Sequence, residues 1–249
     1  MTITSKDNEK LKLVRRLAER KHREREGLFV TEGEDLLQAG LSAGCEPALV
    51  LSRAEAGIRG EEVDAELLDG VSILGSGTRV VAVWPLPEAN RPDEAPTGAR
   101  TGRLGEGHGL ALYLHGVGDP GNVGSIVRSA AALGASSVTL GRGCADAYGP
   151  KAIRASMGAI FAVTVTRGDL DVTPAPRLAL VAHDGDPEPA TDVATLCLGA
   201  EREGLPQDVV DACDARWTIP TRGGVESLGV AAAAAIALSR IGSPTEERA

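Results

Sequence analysis

Aromatic residues are scarce in this sequence: two Phe, two Trp and two Tyr account for 2% of its 249 residues. We therefore expect a core of closely packed Val, Leu, Ile and Ala. Few rings remain for stacking on nucleic-acid bases. The sequence also lacks any run of 18 apolar residues, and its charged first residues lack the apolar core of a signal peptide. We therefore expect neither a membrane span nor secretion.

Cysteines are few and widely spaced. No CxxC pair and no Cys/His pair has the spacing of a zinc site, so we expect no metal centre. Unpaired thiols are typical of a reducing compartment, which favours a cytoplasmic protein. The four residues are Cys45, Cys144, Cys197 and Cys213.

Positive charge is also in deficit, since the formal net charge is -9. This disfavours a protein that coats nucleic acid along its whole surface. Residues 6–26 are the exception, with nine Lys or Arg against five acids and a local charge of +4. Apolar residues recur there at Leu11, Val14 and Leu17. This spacing predicts one basic amphipathic helix over Lys10–Arg25.

Hydrophobic patterning divides the chain into three parts. The strand-like runs "GLFVTEG" and "PALVLS", with the helical stretch "GEDLLQAGLSAG" between them, predict a small α/β domain. The further apolar runs "VSILG" and "RVVAVW" extend this domain over residues 1–84. Residues 85–109 are rich in Pro, Gly and charge and have almost no apolar periodicity, which indicates a linker. Residues 110–249 alternate strand-like and helical patterns, which predicts an α/β domain with a parallel sheet covered on both faces.

A glycine-rich loop is the most conspicuous motif of the third part. In "HGVGDPGNVGSIVR", Gly116, Gly118 and Gly121 have the GxGxxG spacing that is typical of a dinucleotide-binding turn between a strand and a helix. The next strand, however, ends in "TLGRG", where that fold needs an acid for the ribose. A nicotinamide or flavin oxidoreductase is therefore the less favoured interpretation.

Two residues of the helix after this loop carry polar chemistry. Asn122 lies where a helix N-cap belongs, and capping alone accounts for it. Arg128 lies on a helix face of small residues, which includes Gly124 and Ser125. An ordinary surface arginine is one interpretation. The other is that the small neighbours let an anionic ligand or another chain approach a guanidinium with five donors.

Two later loops are also rich in glycine. In "LCLGAEREGLPQDV" a strand ends at Gly199 and the chain turns through Glu201 and Gly204, where glycine permits close approach of a ligand. In "WTIPTRGGVESLGVAAAAAIALSR" a strand stops at Pro220, and an alanine-rich helix follows Ser227. Taken alone, Glu201 is a solvated acid and Ser227 is a capping hydroxyl.

Together the three loops resemble the three ordered motifs of the SpoU family of RNA 2′-O-ribose methyltransferases, in the SPOUT superfamily. The motifs are "DPGNVGSIVRSAAALGA", with Asn122 and Arg128 six residues apart, "LGAEREGL" and "IPTRGGVESLGV". The segment "PKAIRASMGAIF" also resembles the family. The N-terminal "RRLAERKHREREGLFVTEGEDLL" is similar to the small RNA-binding domain, related in fold to a ribosomal protein, that often precedes the catalytic domain.

This resemblance implies S-adenosylmethionine as the methyl donor, a deep trefoil knot in the C-terminal domain, and a homodimer formed through that domain. The implied catalytic residues are Asn122, Arg128, Glu201 and Ser227. The implied cofactor-binding residues are Leu198, Gly199, Ala200, Gly204, Ile219, Pro220, Ser227 and Leu228. The residues expected to bind RNA are Arg15, Arg16, Arg20, Lys21, Arg23, Arg25 and Arg128. The N-terminal domain favours ribosomal RNA over transfer RNA as the substrate.

One position departs from the family pattern. The third motif has Gly229 after Ser227 and Leu228, where the family usually has Asn. The missing amide removes a donor and an acceptor beside Ser227. A second hypothesis is therefore an RNA-binding protein of this fold that holds the cofactor but has reduced or lost catalysis.

Overall fold

The chain forms two compact units. The first contains Met1–Arg100 and the later segment Tyr148–Ala162, and the second contains Thr101–Ala147 and Val163–Ala249. The computed structural model describes residues 2–73, 77–87, 109–190, 192–222 and 228–242. Most of the predicted linker lies outside these residues, and the domain boundaries at residues 84 and 109 stay predictions.

The helices and strands follow one another in an alternating order. The helices are α1 (Glu9–Arg16), α2 (Arg20–Glu26), α3 (Glu34–Ser42), α4 (Ala65–Asp69), α5 (Pro120–Ala132), α6 (Pro150–Ser156), α7 (Gln207–Asp211) and α8 (Val230–Gly242). The strands are β1 (Leu28–Glu32), β2 (Leu49–Ser52), β3 (Glu61–Glu62), β4 (Val80–Pro85), β5 (Ala111–Leu114), β6 (Ser137–Leu140), β7 (Thr164–Arg167), β8 (Arg177–Leu180), β9 (Thr195–Leu198) and β10 (Ala215–Trp217).

The first unit is built on a four-stranded sheet in the order β1-β4-β2-β3. Strand β4 pairs antiparallel with β1 and β2, and β3 is parallel to β2. Successive side chains point to opposite faces of a strand. On one face Val30, Val81 and Val83 pack with Leu11 and Leu17 in one buried cluster. That cluster is the aliphatic core that the composition predicts.

The opposite face of this sheet carries aromatic residues. The indole N–H of Trp84 donates to the hydroxyl of Thr31 over 2.9 Å, which satisfies the polar atom of a buried ring. Helix α3 contacts this ring through Gly40, where a side chain would have no room. The aromatic face is therefore closely packed.

The prediction of one helix over Lys10–Arg25 is wrong, because the chain breaks between α1 and α2. Glu19 is extended there, and the guanidinium of Arg23 donates to the backbone carbonyls of Leu17 and Ala18, each over 2.7 Å. These carbonyls follow a helix C-terminus, where backbone oxygens lack helical partners. Arg23 is buried in doing so.

The apolar run "VSILG" of the predicted first domain is not a strand where it is described, at residues 71–73. Val71 follows α4 in a turn and is buried in the aliphatic cluster, while the sheet gains its extra strand at β3 instead. Val71 fills the core, and residues 71–73 do not pair with a neighbouring strand. A short apolar run does not distinguish a strand from a buried turn.

The second unit has a six-stranded sheet in the order β10-β8-β9-β5-β6-β7, with all pairs parallel. The predicted α/β fold with a parallel sheet is confirmed. From β5 the chain passes to β6 on one side, and it later returns as β9 on the other side. The order of the strands therefore reverses at β5.

Helix α5 covers the sheet of the second unit with an apolar face. Val123, Ile126, Val127 and Ala130 are fully buried, as their helical spacing predicts, and α5 packs against α8. The remaining faces of α5 are free to carry polar residues.

Replacing Gly40 with alanine should lower the free energy of unfolding by about 1–3 kcal/mol, because the protein would have to shift to admit the methyl group. That group would lie 2.4 Å from Cη2 of Trp84. Unfolding in urea measures the change. Gly70→Ala is the control, since its methyl group would lie 3.3 Å from the nearest non-adjacent atom, and we expect a change within about 0.5 kcal/mol. An unchanged stability for Gly40→Ala would contradict the packing of Trp84.

Candidate active site

The candidate site lies at the carboxyl ends of β5, β6 and β9. In open parallel sheets, ligands bind beyond these ends at the position where the strand order reverses. The backbone N–H of His115 donates to the carbonyl of Leu198 over 2.9 Å, and that of Gly116 donates to Arg142 over 2.8 Å. The loops after the three strands are therefore tied together at the reversal point.

Glycines allow these loops to approach one another. Gly116 has a φ of +71°, and a methyl group on it would lie 3.2 Å from Cβ of Ala200. A methyl group on Gly199 would lie 2.0 Å from the carbonyl carbon of Gly204, which leaves no room for a side chain. The glycine at position 199 is thus required by the turn itself.

The loop after β9 closes on itself. The backbone N–H of Ala200 donates to the carbonyl of Gly204 over 3.1 Å, and the N–H of Gly204 donates back to Ala200 over 3.0 Å. Glu201 lies on the exposed turn between them. This closure holds Glu201 at the edge of the sheet.

The N-cap of α5 is Asp119, so the prediction that Asn122 caps this helix is wrong. The carboxylate of Asp119 accepts from the backbone N–H of Asn122 over 3.0 Å, and Pro120 occupies the first turn. Asp followed by Pro is a recognised start of a helix, and "DPGN" contained that signal. Because Asp119 provides the cap, the side chain of Asn122 can bind another group.

Asn122 and Glu201 meet although 79 positions separate them. The side-chain amide of Asn122 donates to Oε1 of Glu201 over 2.7 Å. A methyl group on Gly229 would lie 3.9 Å from the same oxygen. Residues of all three motifs therefore lie close together: Asn122 is bonded to Glu201, and Gly229 lies beside the same carboxylate.

The residues that the family resemblance assigns to the cofactor differ in exposure. Leu198 and Gly199 are buried, Ala200, Ile219 and Leu228 are half-buried, and Gly204 and Pro220 are exposed. Ser227 lies outside the described residues, so its catalytic and cofactor-binding roles stay predictions.

Arg128 is exposed on α5, two turns beyond the N-terminus of the helix. Among the described parts of the chain it has no ion-pair partner. Its charge is thus available to a ligand or to another chain.

The basic residues of the first unit are mostly neutralised. Arg20 pairs with Glu24 over 2.6 Å. Lys21 pairs with Glu19 over 2.8 Å, and Arg25 pairs with Glu26 over 2.7 Å. Arg15 and Arg16 are exposed at the end of α1.

Arg23 does not fit its predicted contact with RNA. The residue is buried, and its guanidinium donates to the carbonyls that end α1. Its function in this structure is to join α1 to α2.

Tyr113 and His115 lie beside the tied loops and were not predicted from the sequence. Burial raises the pKa of Tyr113 to about 12, with a further contribution from Asp169. The phenol therefore stays protonated, and its oxygen lies 3.2 Å from Nδ1 of His115. The sequence contains one signal for this contact: Tyr113 and His115 are two residues apart, and residues at that spacing in an extended segment share a face.

A pair of thiols lies at the end of β9. A hydrogen bond with Cys213, together with complete burial, raises the pKa of Cys197, and the same hydrogen bond lowers the pKa of Cys213. Cys197 therefore keeps its proton, and the half-buried Cys213 loses its proton first.

The described residues contain neither a metal-binding cluster nor a membrane-spanning helix. No group of three or more His, Cys, Asp or Glu side chains there is arranged to hold a metal ion. None of the helices described is both long enough and apolar enough to cross a membrane.

The fold and the site define an α/β protein with a ligand site at the carboxyl edge of a parallel sheet. A model of the SpoU rRNA Methylase family matches residues 109–239, and a model of the MRM3-like substrate binding domain matches residues 8–82. The first match covers more than half of the chain, so the chain belongs to the SpoU rRNA methylase family. The resemblance inferred from the three motifs is confirmed, and with it the enzyme class, an RNA methyltransferase.

Similar proteins cover nearly the whole chain. The sequence is 29% identical over 252 residues to the 23S rRNA (guanosine(2553)-2′-O)-methyltransferase RlmP of Bacillus subtilis. This match covers 94% of the present chain and 96% of RlmP. A TrmH-family protein of Porphyromonas gingivalis is similar in structure, with a TM-score of 0.76 and 32% identity over 96% of this chain and 98% of that one. The SpoU methyltransferase AviRb of Streptomyces viridochromogenes, solved in complex with AdoMet, has a TM-score of 0.78 at 24% identity over 94% and 97% of the two chains. At that identity the likeness concerns the fold alone.

Removing either partner of the Asn122–Glu201 hydrogen bond should lower kcat for methyl transfer to RNA by about 10- to 100-fold. If the two side chains act as one unit, Asn122→Ala with Glu201→Ala should cost no more than the worse single variant. Steady-state kinetics of the four proteins measure this. Gln207 and Asp211 form a similar exposed amide–carboxylate pair at 2.8 Å in the same unit. Gln207→Ala is the control and should leave kcat unchanged, whereas additive losses at Asn122 and Glu201 would show that the two act separately.

Proposed function

We propose that this protein transfers the methyl group of S-adenosylmethionine to a ribose 2′-hydroxyl of ribosomal RNA. The observation that carries the proposal is the convergence of Asn122, Glu201 and Gly229, one residue from each family motif, at the carboxyl edge of the sheet. RlmP, which is similar over almost the entire chain, is named for the same reaction on 23S rRNA.

The residues of the edge fit S-adenosylmethionine. The closed Ala200–Gly204 turn presents backbone groups with little side-chain obstruction, which suits recognition of adenine and ribose by the main chain. Ile219 and Leu228 are half-buried and keep apolar surface that an adenine ring can cover. The cofactor supplies a methyl group on a sulfonium, which is a good leaving group.

The work of the protein is to align the hydroxyl and to accommodate its charge. The 2′-oxygen attacks the methyl carbon as the sulfur–carbon bond breaks, so orientation contributes more than covalent catalysis. An arginine stays protonated and is a poor base. Arg128 instead positions the ribose phosphate and stabilises the developing oxyanion, and the proton leaves to phosphate or water.

The dimer and the knot belong to the same proposal. Arg128 acts at an edge formed with a second copy, and the copies meet through the C-terminal domain. In support, Leu133 at the end of α5 and Ile236 on α8 are apolar residues that are 39% and 37% exposed, on two helices that pack together. The family resemblance is the support for a deep trefoil knot in this domain.

The N-terminal unit holds the RNA. The match to a substrate binding domain over residues 8–82 supports this role, and Arg15 and Arg16 are exposed cations with no ion-pair partner among the described residues. Arg20, Lys21 and Arg25 contribute after exchange of their present partners for phosphate. We place the reaction in the cytoplasm, where ribosomal RNA and reduced thiols coexist.

The role of the methylation is either maintenance of the ribosome or protection against an antibiotic that binds it. Mapping ribose methylation across ribosomal RNA from cells with and without the protein names the nucleotide and separates the two. Loss of one specific methyl group with the protein supports the proposal, and an unchanged map contradicts it.

Arg128→Lys should lower the rate of methyl transfer to ribosomal RNA by at least tenfold, because lysine keeps the charge but loses the planar pair of donors. Transfer of a labelled methyl group under single-turnover conditions measures the rate. Arg216→Lys, at an exposed arginine paired with Asp211, is the control and should have no effect. A normal rate for Arg128→Lys would exclude bidentate positioning by this residue.

Gly229→Asn tests the second hypothesis, a cofactor-binding protein with reduced catalysis. An asparagine there has its Cβ 3.9 Å from Oε1 of Glu201, close enough to add an amide to the site. If glycine limits turnover, the variant should raise kcat by about tenfold at unchanged RNA affinity. A lower kcat in the variant would show that this protein is adapted to glycine, and the second hypothesis would be excluded.

A further inference from the structure

Two thiols are in contact within the second unit, and the proposed reaction uses neither of them. Cys197 lies in β9, and Cys213 lies two residues beyond the end of α7. Both pack in one cluster with Tyr113, Leu170 and Val209. A hydrogen bond joins the two cysteine side chains. The second unit therefore contains a pair of nucleophilic groups that is placed to react together.

Strand β8 fixes the backbone on both sides of this pair. Cys197 is paired with Ala179 in the parallel register of β8 and β9. At the start of β8, the backbone N–H of Arg177 donates to the carboxylate of Asp214 over 2.7 Å. The backbone N–H of Asp214 donates back to the carbonyl of Arg177 over 2.9 Å. Because Asp214 directly follows Cys213, one strand holds both cysteines in place.

The two thiols differ in access and in acidity. Cys197 is fully buried, whereas Cys213 is half-buried. The hydrogen bond between them lowers the pKa of Cys213 and raises the pKa of Cys197. The thiolate, and not the thiol, is the nucleophile in cysteine chemistry. An oxidant in solution therefore reacts with Cys213 first, and Cys197 is in contact with the product.

We propose that Cys197 and Cys213 form a reversible disulfide when the protein meets a hydroperoxide, and that this bond weakens the binding of S-adenosylmethionine. The second part rests on the proposed function, which places the cofactor at the Ala200–Gly204 turn. Thiols are kept reduced in the cytoplasm, so the disulfide is a response to oxidant and not a permanent bond.

The reaction has two steps and passes two electrons to the peroxide. The thiolate of Cys213 attacks one peroxide oxygen, the oxygen–oxygen bond breaks, and hydroxide leaves, which gives a sulfenic acid. The thiol of Cys197 then attacks the sulfenic sulfur as the sulfur–oxygen bond breaks. Its proton goes to the departing hydroxyl group, so water leaves and the disulfide remains. A thiol reductant such as dithiothreitol reverses the bond by exchange.

The disulfide acts on the Ala200–Gly204 turn, which lies between the two cysteines in the chain. A covalent bond draws two sulfurs closer together than a hydrogen bond does. Strand β9 is paired on both sides, with β5 and β8, so the movement falls on α7, which begins three residues after Gly204. A methyl group on Gly199 would lie 2.0 Å from the carbonyl carbon of Gly204 and 2.2 Å from the nitrogen of Leu205. With no free space there, a shift of α7 distorts the turn.

Peptide mapping under non-reducing conditions tests the disulfide. The reduced full-length protein is treated with equimolar hydrogen peroxide, the remaining thiols are alkylated, and tryptic peptides are identified by mass spectrometry. Cleavage after Arg202 places Cys197 and Cys213 in separate peptides. We expect these two peptides to be linked as the main oxidised product and to separate after dithiothreitol.

Calorimetric titration with S-adenosylmethionine tests the consequence. The Kd of the oxidised wild type should be about tenfold higher than that of the reduced protein, the order expected for the net loss of one hydrogen bond. Dithiothreitol should restore the Kd.

Cys213→Ser should bind the cofactor equally well before and after peroxide. Its hydroxyl can donate to the carbonyl of Val209, as the thiol of Cys213 does over 3.2 Å. If this variant does not fold, Cys213→Ala takes its place with the same expectation. Cys45→Ser, in the first unit, is the matched control and should lose affinity on oxidation as the wild type does.

Two results would overturn the proposal. One is peroxide-treated protein in which Cys197 and Cys213 stay unlinked, as free thiols or as separately oxidised residues. The other is a linked protein that binds S-adenosylmethionine as tightly as the reduced one. A failure of the proposed function looks different, because the reduced wild-type protein would then bind no cofactor while the linked peptides still form.

Discussion

The candidate site depends on backbone segments that approach too closely to admit side chains. Gly116 and Gly143 lie against each other after β5 and β6, where a methyl group on Gly143 would be 3.1 Å from Cα of Gly116. Gly199 is enclosed by the turn that it begins. Because these glycines let three loops meet, Asn122 and Glu201 come within hydrogen-bond distance from remote parts of the chain. The polar chemistry of the site is a consequence of this close packing.

Periodicity and turn chemistry were enough to predict much of the second unit. Its six strands and their parallel arrangement follow from apolar runs separated by helical patterns. The start of α5 was missed because Asn122 and Asp119 are both good caps, and only the neighbouring Pro120 distinguishes them. The GxGxxG pattern was misleading for a related reason. Gly116 is needed for packing, and Gly121 lies against the carboxylate of Asp119, so the spacing arises from two local constraints.

Other features depend on contacts distant in sequence, which local patterns do not contain. Arg23 has the spacing of a surface cation in a basic helix, but the break after Leu17 turns it inward to the carbonyls of α1. The rings of Phe29 and Trp84 pack against Tyr148 and Phe161, which lie in a connection more than 60 positions later. Nothing in the short motif "PKAIRASMGAIF" distinguishes a helix that covers its own sheet from one that packs in the other unit.

Ion pairs within the folded protein reduce the positive charge that the N-terminal segment, residues 6–26, presents to a ligand. Acidic neighbours already occupy most of its cations, so the segment is less basic to an approaching phosphate than its composition indicates. An RNA ligand must compete with these carboxylates, which are exposed and held weakly.

The scarcity of aromatic residues has one further consequence. Each unit contains a single tryptophan, Trp84 in the first and Trp217 in the second, and both are almost fully buried. Replacing one of them with phenylalanine leaves an indole in the other unit alone. The fluorescence of the two single-tryptophan proteins therefore reports separately on the first unit and on the second. Coincident unfolding curves would show that the two units melt together, and separate curves would show that each melts on its own.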